Sequence, residues 1–512
     1  MLEVQIDFGE ADIEMDQFGD VQEEGEEEEE EEKGDRGRSG QPRRPRQPQQ
    51  QRTLRHMGWI EMASQSEVID RLRATFRSGV TIPEQFRMTH LQNLLSLVEE
   101  NEQLIQDALH KDLHKATRMD DCFIRREPLG VVLIIGAWNY PLHLILLPLV
   151  AAIAAGNCAV LKPSEICQAT EQLLAELLPK YLSQDCYAVL CGGAEDTKSL
   201  LKNKFDHIFY TGSQAVARSI LLAAAPHLTP VTLELGGKSP CFIYGRIDIQ
   251  KAAKRLCWSK FFNTGQSCVA PDYLLCTAQT RDALLPALQE TLQTFYGLDP
   301  GASPDMGRIV NQRHWRRLVD MLGKSKGKVV IGGDSREEDR YIVLVDVQES
   351  DVSMVFLAPT VLVDVQESDA LMQEEIFGPI LPILTIESLE EGIDYINRQE
   401  KPLALYVFSD ETSVVTTVLN NTSSGGFCGN DGIVHMALPG LPFGGVGASG
   451  MGSYHGRWGF ETFSHRRGCM NRSWLLERVN VLRYPPYSDY NLGWLRWATT
   501  FKKNSWGGCS VM

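Results

Sequence analysis

Short apolar runs separated by helix-forming segments predict an α/β protein built on a doubly wound parallel sheet. The runs are Val131 to Ile135, Ala159 to Leu161, Ala188 to Leu190, His207 to Tyr210 and Val231 to Leu235. A second strand-and-helix series from Gly237 to Gly440 predicts a separate α/β domain, and 512 residues are enough for more than one hydrophobic core. In open parallel sheets ligands lie at the carboxyl ends of strands, so functional side chains are expected there.

The elements follow in chain order. Residues 1–58 run from an acidic block into Arg, Pro and Gln residues, with too little apolar surface to offset ordering entropy, and are expected to be disordered. The net charge of −17 is inflated by that block. Nine of the ten residues from Glu23 to Glu32 are Glu, and setting them aside leaves −8, which does not suggest a nucleic-acid partner. From Ser66, Val68, Ile69, Leu72 and Phe76, then Leu91 to Leu109, recur at helix spacing. The first domain is expected over residues 59–236 and the second over 237–440, with a substrate-side loop and return strand over 441–486 and a membrane-associating tail over 487–512.

The run from Leu129 to Gly156 is apolar enough to raise the question of a membrane span. Gly136, Asn139, Pro141, His143 and Pro148 interrupt it, so a buried strand followed by a buried helix is expected. Twelve cysteines without paired spacing, and no apolar amino-terminal signal, point to a reducing compartment and free thiols. The segment Val343 to Asp351 repeats word for word at Val361 to Asp369, so residues 343–357 read as an insertion carried in a surface loop.

Two motifs carry chemistry. Cys268 lies in Asn263-Thr264-Gly265-Gln266-Ser267-Cys268, and Glu234 lies in Leu233-Glu234-Leu235-Gly236-Gly237-Lys238. A thiol on a Gly-containing loop can act as a nucleophile, and a carboxylate ending an apolar strand can act as a base. With Gly136-Ala137-Trp138-Asn139-Tyr140-Pro141, Leu161-Lys162-Pro163-Ser164-Glu165, Glu374-Glu375-Ile376-Phe377-Gly378-Pro379 and Leu441-Pro442-Phe443-Gly444-Gly445, the set resembles the aldehyde dehydrogenase superfamily. The resemblance runs from about Gln65 to Pro486, and Leu228-Thr229-Pro230-Val231-Thr232 and Cys428-Gly429-Asn430-Asp431 make it most like the class 3 branch, particularly its 3B members.

That resemblance implies the aldehyde dehydrogenase fold: a parallel-sheet cofactor domain, an α/β catalytic domain and a small β-hairpin oligomerisation element, assembled as a homodimer. It implies Cys268 as nucleophile, Glu234 as base and Asn139 as oxyanion donor. It also implies NAD or NADP as cofactor, held by Lys162, Glu165, Gly212, Ser213, Glu375 and Phe377, with Ala217 standing where relatives carry a Gly. The substrates implied are medium- and long-chain aliphatic and other apolar aldehydes. A stretch found in relatives between Lys115 and Phe123 is reduced here to residues 116–122, which leaves open a lipidated protein that is catalytically impaired. A soluble dehydrogenase of small polar aldehydes is a third reading.

Two motif look-alikes carry no function. Gly445-Val446-Gly447-Ala448-Ser449-Gly450 has dinucleotide-loop spacing but follows no strand, and His110 with His114 has metal-pair spacing but no further ligand, so no metal is expected. Cys509-Ser510-Val511-Met512 has the form of a farnesylation signal. Trp494, Trp497, Ala498 and Phe501 on one helical face, with Lys502 and Lys503, would supply the second membrane signal that one lipid chain needs. The expected location is the cytoplasmic face of a membrane, whether plasma membrane, endoplasmic reticulum or lipid droplet.

Overall fold

The computed structural model describes residues 122–339 and 354–470, with short stretches between 72 and 93 and at 484, 485 and 488. Residues 118–512 group as one compact unit, and every element below belongs to it. The amino-terminal extension, most of the expected helices from Ser66, the shortened stretch 116–122 up to Asp121, His110, His114 and Cys509 lie outside the described residues.

The chain enters through β1 (Cys122–Pro128) and β2 (Val131–Ile135), followed by α1 (His143–Ala154), β3 (Cys158–Lys162), α2 (Gln168–Tyr181), β4 (Tyr187–Val189), α3 (Ala194–Leu200), β5 (His207–Gly212), α4 (Gln214–Ala224) and β6 (Val231–Leu235). The five expected strands of this region therefore form, with ends shifted by a residue or two. The run from Leu129 to Gly156 is the strand and twelve-residue helix that its polar interruptions predict. No helix among the described residues is long and apolar enough to cross a membrane.

The second series is β7 (Pro240–Ile243), α5 (Ile249–Phe261), β8 (Tyr273–Cys276), α6 (Ala278–Tyr296), α7 (Gln312–Lys324), β9 (Lys328–Ile331), β10 (Ser335–Asp339), β11 (Met354–Leu357), β12 (Thr360–Val363), α8 (Ala370–Gln373), β13 (Ile380–Thr385), α9 (Leu389–Arg398), β14 (Ala404–Phe408), α10 (Thr412–Asn421) and β15 (Gly426–Gly429). The chain then returns to the first sheet through β16 (Gly450–Met451), α11 (Gly456–Thr462) and β17 (Ser464–Met470).

Two main sheets result. One has the order β16-β6-β5-β2-β3-β4, parallel except for β16, and the other β15-β14-β7-β8-β13-β12-β9, parallel except for β9. Both faces are covered, which is why the strands read as continuous apolar runs. In β2, Val132 and Ile134 enter one core cluster while Leu133 and Ile135 enter another, as the two-residue strand period requires. In the first sheet β2 leads outward to β3 and β4, then the chain crosses back to β5 and β6. The reversal lies between β2 and β5, where the carboxyl ends leave a crevice.

Two expectations change. The end of the expected insertion is not a surface loop: Met354–Leu357 is strand β11, paired with β10, and Val355, Phe356 and Leu357 are buried. The word repeat marks where sequence was duplicated but not where the apolar core resumes, and residues 340–353 lie outside the described residues. The described residues hold two small two-stranded elements: the antiparallel pair of β10 and β11, and a ribbon of β1 and β17, strands far apart in the chain rather than a hairpin.

Asn157 fastens this return path. Asn157 is buried: its Oδ1 accepts from the half-buried Leu129 N and Gly130 N at 2.7 and 2.9 Å, and its Nδ2 donates to Phe463 O at 2.8 Å. Substituting Asn157→Ala leaves buried backbone groups unpaired and is expected to cost on the order of 3 kcal/mol in stability. Urea unfolding checks this, and Asn157→Asp is expected to lose stability too, because it keeps the acceptor but turns an acceptor oxygen toward the Ala152 and Phe463 carbonyls.

Candidate active site

The crevice between the sheets opens into a cavity of about 610 Å³ whose lining includes Asn139, Gly212, Ser213, Glu234, Cys268, Glu375 and Phe377. Seven of the nine expected catalytic and cofactor residues thus meet around one space. Lys162 and Glu165 are not in that lining.

Cys268 is delivered by an unusual turn. After α5, Asn263, Thr264 and Gly265 take successive left-handed conformations, with φ of 49°, 58° and 71°. Only glycine fits the last, because a Cβ there would lie 2.2 Å from the carbonyl oxygen of Gly378. Gln266 pins the turn from inside: its Nε2 donates to Arg308 O at 3.0 Å and its Oε1 accepts from Val310 N at 2.9 Å. Asn139 follows the carboxyl end of β2 and joins the same turn. Its Nδ2 donates to Gln266 O at 3.2 Å, while Asn263 Nδ2 donates to Asn139 O at 2.9 Å. Nδ2 carries two hydrogens, and Gln266 takes one.

Glu234 is next to last in β6, set between Thr211 of β5 and Gly450 of β16. It is buried, and neither carboxyl oxygen has a hydrogen-bond partner. Burial without donors pushes its pKa well above the carboxylate range. The Cys268 thiol is pushed up to about 12, first by burial and then by the facing carboxylates of Glu375 and Glu234. Removal from water thus shifts both the Cys268 thiol and the Glu234 carboxyl toward their neutral forms.

Glu375 sits close under the strand end. A Cβ on Gly236 would lie 2.1 Å from its Oε2, which explains the glycine after Leu235. Burial and Asp272 hold Glu375 up at about 8, against the Gly237 N–H and the charges of Lys238 and Arg317. Lys238 binds the Asp272 carboxylate and donates to Leu371 O at 2.7 Å and Glu374 O at 3.1 Å. Asp272 in turn accepts from Ile376 N at 3.0 Å, and Arg317 of α7 donates to Glu375 O at 3.2 Å. This clamp sets Phe377, at φ 51°, edge-on to Trp138 with ring centroids 5.2 Å apart. Lys260, fully buried with no partner for Nζ, lies within the field of Asp272 and Glu375 and is lowered by burial to about 8.

The remaining expected residues fall at the ends of β3 and β5. Lys162 ends β3, buried, with Glu165 at 3.6 Å and Glu171 at 3.8 Å, and donates to the Pro163 carbonyl. Ser213 caps α4 by accepting from Val216 N at 3.4 Å, and the helix amino terminus opens into the cavity through Ser213, Gln214 and Ala215. Ala217 is buried in the first turns of that helix, so its methyl group is accommodated by the core. The look-alike glycine run is a tight loop: a Cβ on Gly445 would lie 2.0 Å from Ser449 O, and the run ends in β16 against Glu234.

The motifs did not reveal the clamp of Asp272 and Arg317. Asp272 directly follows the Cys268-Val269-Ala270-Pro271 run, a buried acid at a strand start, and could have been paired with Lys238. Arg317 carries no local signal.

A match to the family model described as "Aldehyde dehydrogenase family" covers residues 38–468, beginning inside the segment expected to be disordered. The human protein "Aldehyde dehydrogenase family 3 member B1" is 52% identical over 466 residues, 83% of this chain and 95% of that one. Among solved structures, "Substrate bound state of Staphylococcus Aureus AldH" superposes with a TM-score of 0.69 at 37% identity, covering 86% of this chain and 100% of that one. An indole-3-acetaldehyde dehydrogenase in complex with NAD+ matches with a TM-score of 0.62 at 28% identity, over 70% and 72% of the two chains.

Substituting Lys238→Met is expected to cost about 3–5 kcal/mol, because it leaves the buried Asp272 carboxylate unpaired. Thermal unfolding checks the loss, and Lys238→Met with Asp272→Asn should recover part of it.

Proposed function

The chain belongs to the aldehyde dehydrogenase family, an enzyme family that oxidises aldehydes to acids with NAD or NADP, and from that premise we propose that Cys268 is the nucleophile, Glu234 the base and Asn139 the oxyanion donor. The observation that carries this reading is the meeting of all three around one cavity, with the turn holding Cys268 bonded to Asn139.

Once the Cys268 thiol has given up its proton to water, its sulfur attacks the aldehyde carbon, and the carbonyl oxygen becomes an anion. The second N–H of Asn139 and the Cys268 backbone N–H stabilise that anion, donors that cost no reorganisation because the turn already fixes them. A nicotinamide dinucleotide held here would supply the acceptor for the hydride lost from the same carbon, and Cys268 would carry the resulting thioester. Glu234 then takes a proton from water, whose oxygen attacks the thioester and releases the acid. A carboxyl kept out of water is a stronger base once ionised than an exposed one, which suits proton removal from water.

The residues fit the cofactor. The capped amino terminus of α4 faces the cavity and favours the pyrophosphate. Glu375 and Phe377 would hold the nicotinamide riboside. Lys162 and Glu165 would hold the adenosine ribose beyond the lining described above. Ala217 would weaken that grip without abolishing it.

Apolar aldehydes of medium or long chain fit the approach to Cys268. Trp258, Phe262 and Phe443 pack with Cys268 against one apolar cluster, Tyr140 and Phe262 stack at 6.4 Å, and Phe443 stacks on His455 at 5.3 Å, an aromatic neighbourhood that favours apolar substrates. Burial keeps His455 near 4, so it stays neutral in the physiological range. We further read the chain as a homodimer held on a cytoplasmic membrane surface by a prenylated Cys509.

Purified protein should reduce NAD+ with octanal, Cys268→Ala should remove the activity, and Glu234→Gln should keep a first-turnover burst while steady turnover falls by roughly 10²–10⁴. Loss of the burst would reassign Glu234 to the first stage. The KM for NAD+ should fall as pH rises through about 8, because Glu375 gains the charge that accepts from ribose hydroxyls, and Glu375→Gln should flatten that profile. Cys509→Ser should move the protein from the membrane to the soluble fraction, and unchanged retention would reject the lipid anchor.

A further inference from the structure

Strands β3 and β4 lie side by side at one edge of the first sheet, in parallel register with Ala159 opposite Tyr187. One residue earlier, Cys158 and Cys186 stand opposite each other, and Ala159 N donates to Cys186 O at 3.0 Å. Neighbouring strands run about 4.8 Å apart, inside the window of roughly 4.4–6.8 Å between Cα atoms that a disulfide spans. Ala159 is buried, so the alternation of the strand turns Cys158 to the opposite, half-buried side, where Cys186 is half-buried too. Burial first, and then the neighbouring Cys186 sulfur, pushes the Cys158 thiol up. Neither lines the reaction cavity. β4 is the last strand of its sheet, so water reaches the pair from the edge.

We propose that Cys158 and Cys186 form a modification site, a cross-strand dithiol that hydrogen peroxide closes to a disulfide. The Cys186 sulfur attacks one peroxide oxygen; an S–O bond forms, the O–O bond breaks, and the departing hydroxide takes the thiol proton to leave as water. The Cys158 sulfur, held beside it, attacks the resulting sulfenic sulfur. The S–S bond forms, the S–O bond breaks, and a second water leaves with the Cys158 proton. Each sulfur gives up one electron, and the peroxide accepts both. The finished bridge encloses Lys162, Glu165, Glu171 and α2, and fastens the edge strand to the strand that ends in Lys162. Because it removes conformations from the unfolded chain, it raises thermal stability.

The test uses the full-length wild type treated with hydrogen peroxide, quenched with catalase, alkylated with iodoacetamide and digested without reductant. Peptide mapping should find Cys158 joined to Cys186, with labelling of both lost together and restored by dithiothreitol. The oxidised protein should unfold at a higher temperature than the reduced protein. In Cys158→Ser the bridge should be absent, and Cys186 should instead accumulate as a sulfenic acid trapped by dimedone. If both thiols remain alkylatable while other cysteines of the chain are oxidised, or if either pairs with a different cysteine, the proposal fails. The wild-type mapping decides this alone should a variant not fold.

Discussion

The buried ion pair between Lys238 and Asp272 is the interaction on which the site depends. Lys238 begins the crossing from the first sheet to the second, Asp272 immediately precedes β8 just after Cys268, and both reach the Leu371 to Ile376 segment. One pair therefore fixes the spacing of the Glu234 strand end, the Cys268 turn and the Glu375 carboxyl. Pairs of this kind seldom add net stability over apolar packing, but losing one partner is costly, so the pair enforces geometry more than it strengthens the fold.

Glycine allows these segments to approach closely. At Gly236 the Glu375 carboxylate occupies the volume of a side chain, and at Gly265 the Gly378 carbonyl does the same. Neither position tolerates a Cβ without moving backbone or a buried charge. Gly265 adds a second demand through its left-handed φ, which follows two strained residues, Asn263 and Thr264. Such strain persists because Gln266 and Asn139 bond the turn on both sides.

Desolvation sets the chemistry. Glu234, Glu375 and Cys268 all have raised pKa values for the same first cause, removal from water, and each then differs by its neighbours. Glu375 has a backbone donor and two nearby cations, so it can ionise near neutrality. Glu234 has no donor to offset its burial, and its pKa is held well above the carboxylate range. Two carboxyl groups in one cavity are thus separated in readiness by hydrogen bonding and nearby charge.

The sequence by itself determined the strands, because a strand covered on both faces must be apolar throughout, and Val131 to Ile135 and Val231 to Leu235 have that form. It also singled out Cys268, Glu234 and Asn139 as a set, because each lies in a motif long enough to be specific, and the fold brings the three around one cavity. It could not place Lys162 and Glu165 relative to the cavity, since their positions follow from ion pairs with Glu171 and the path of α2. It read residues 343–357 as a loop, whereas β11 is buried, because a repeated word carries no information about which copy the core will cover. The tertiary structure alone brought Arg317 to Glu375 and Cys186 beside Cys158. Those contacts depend on strand order and helix packing, which join residues far apart in the chain and leave no local mark in it.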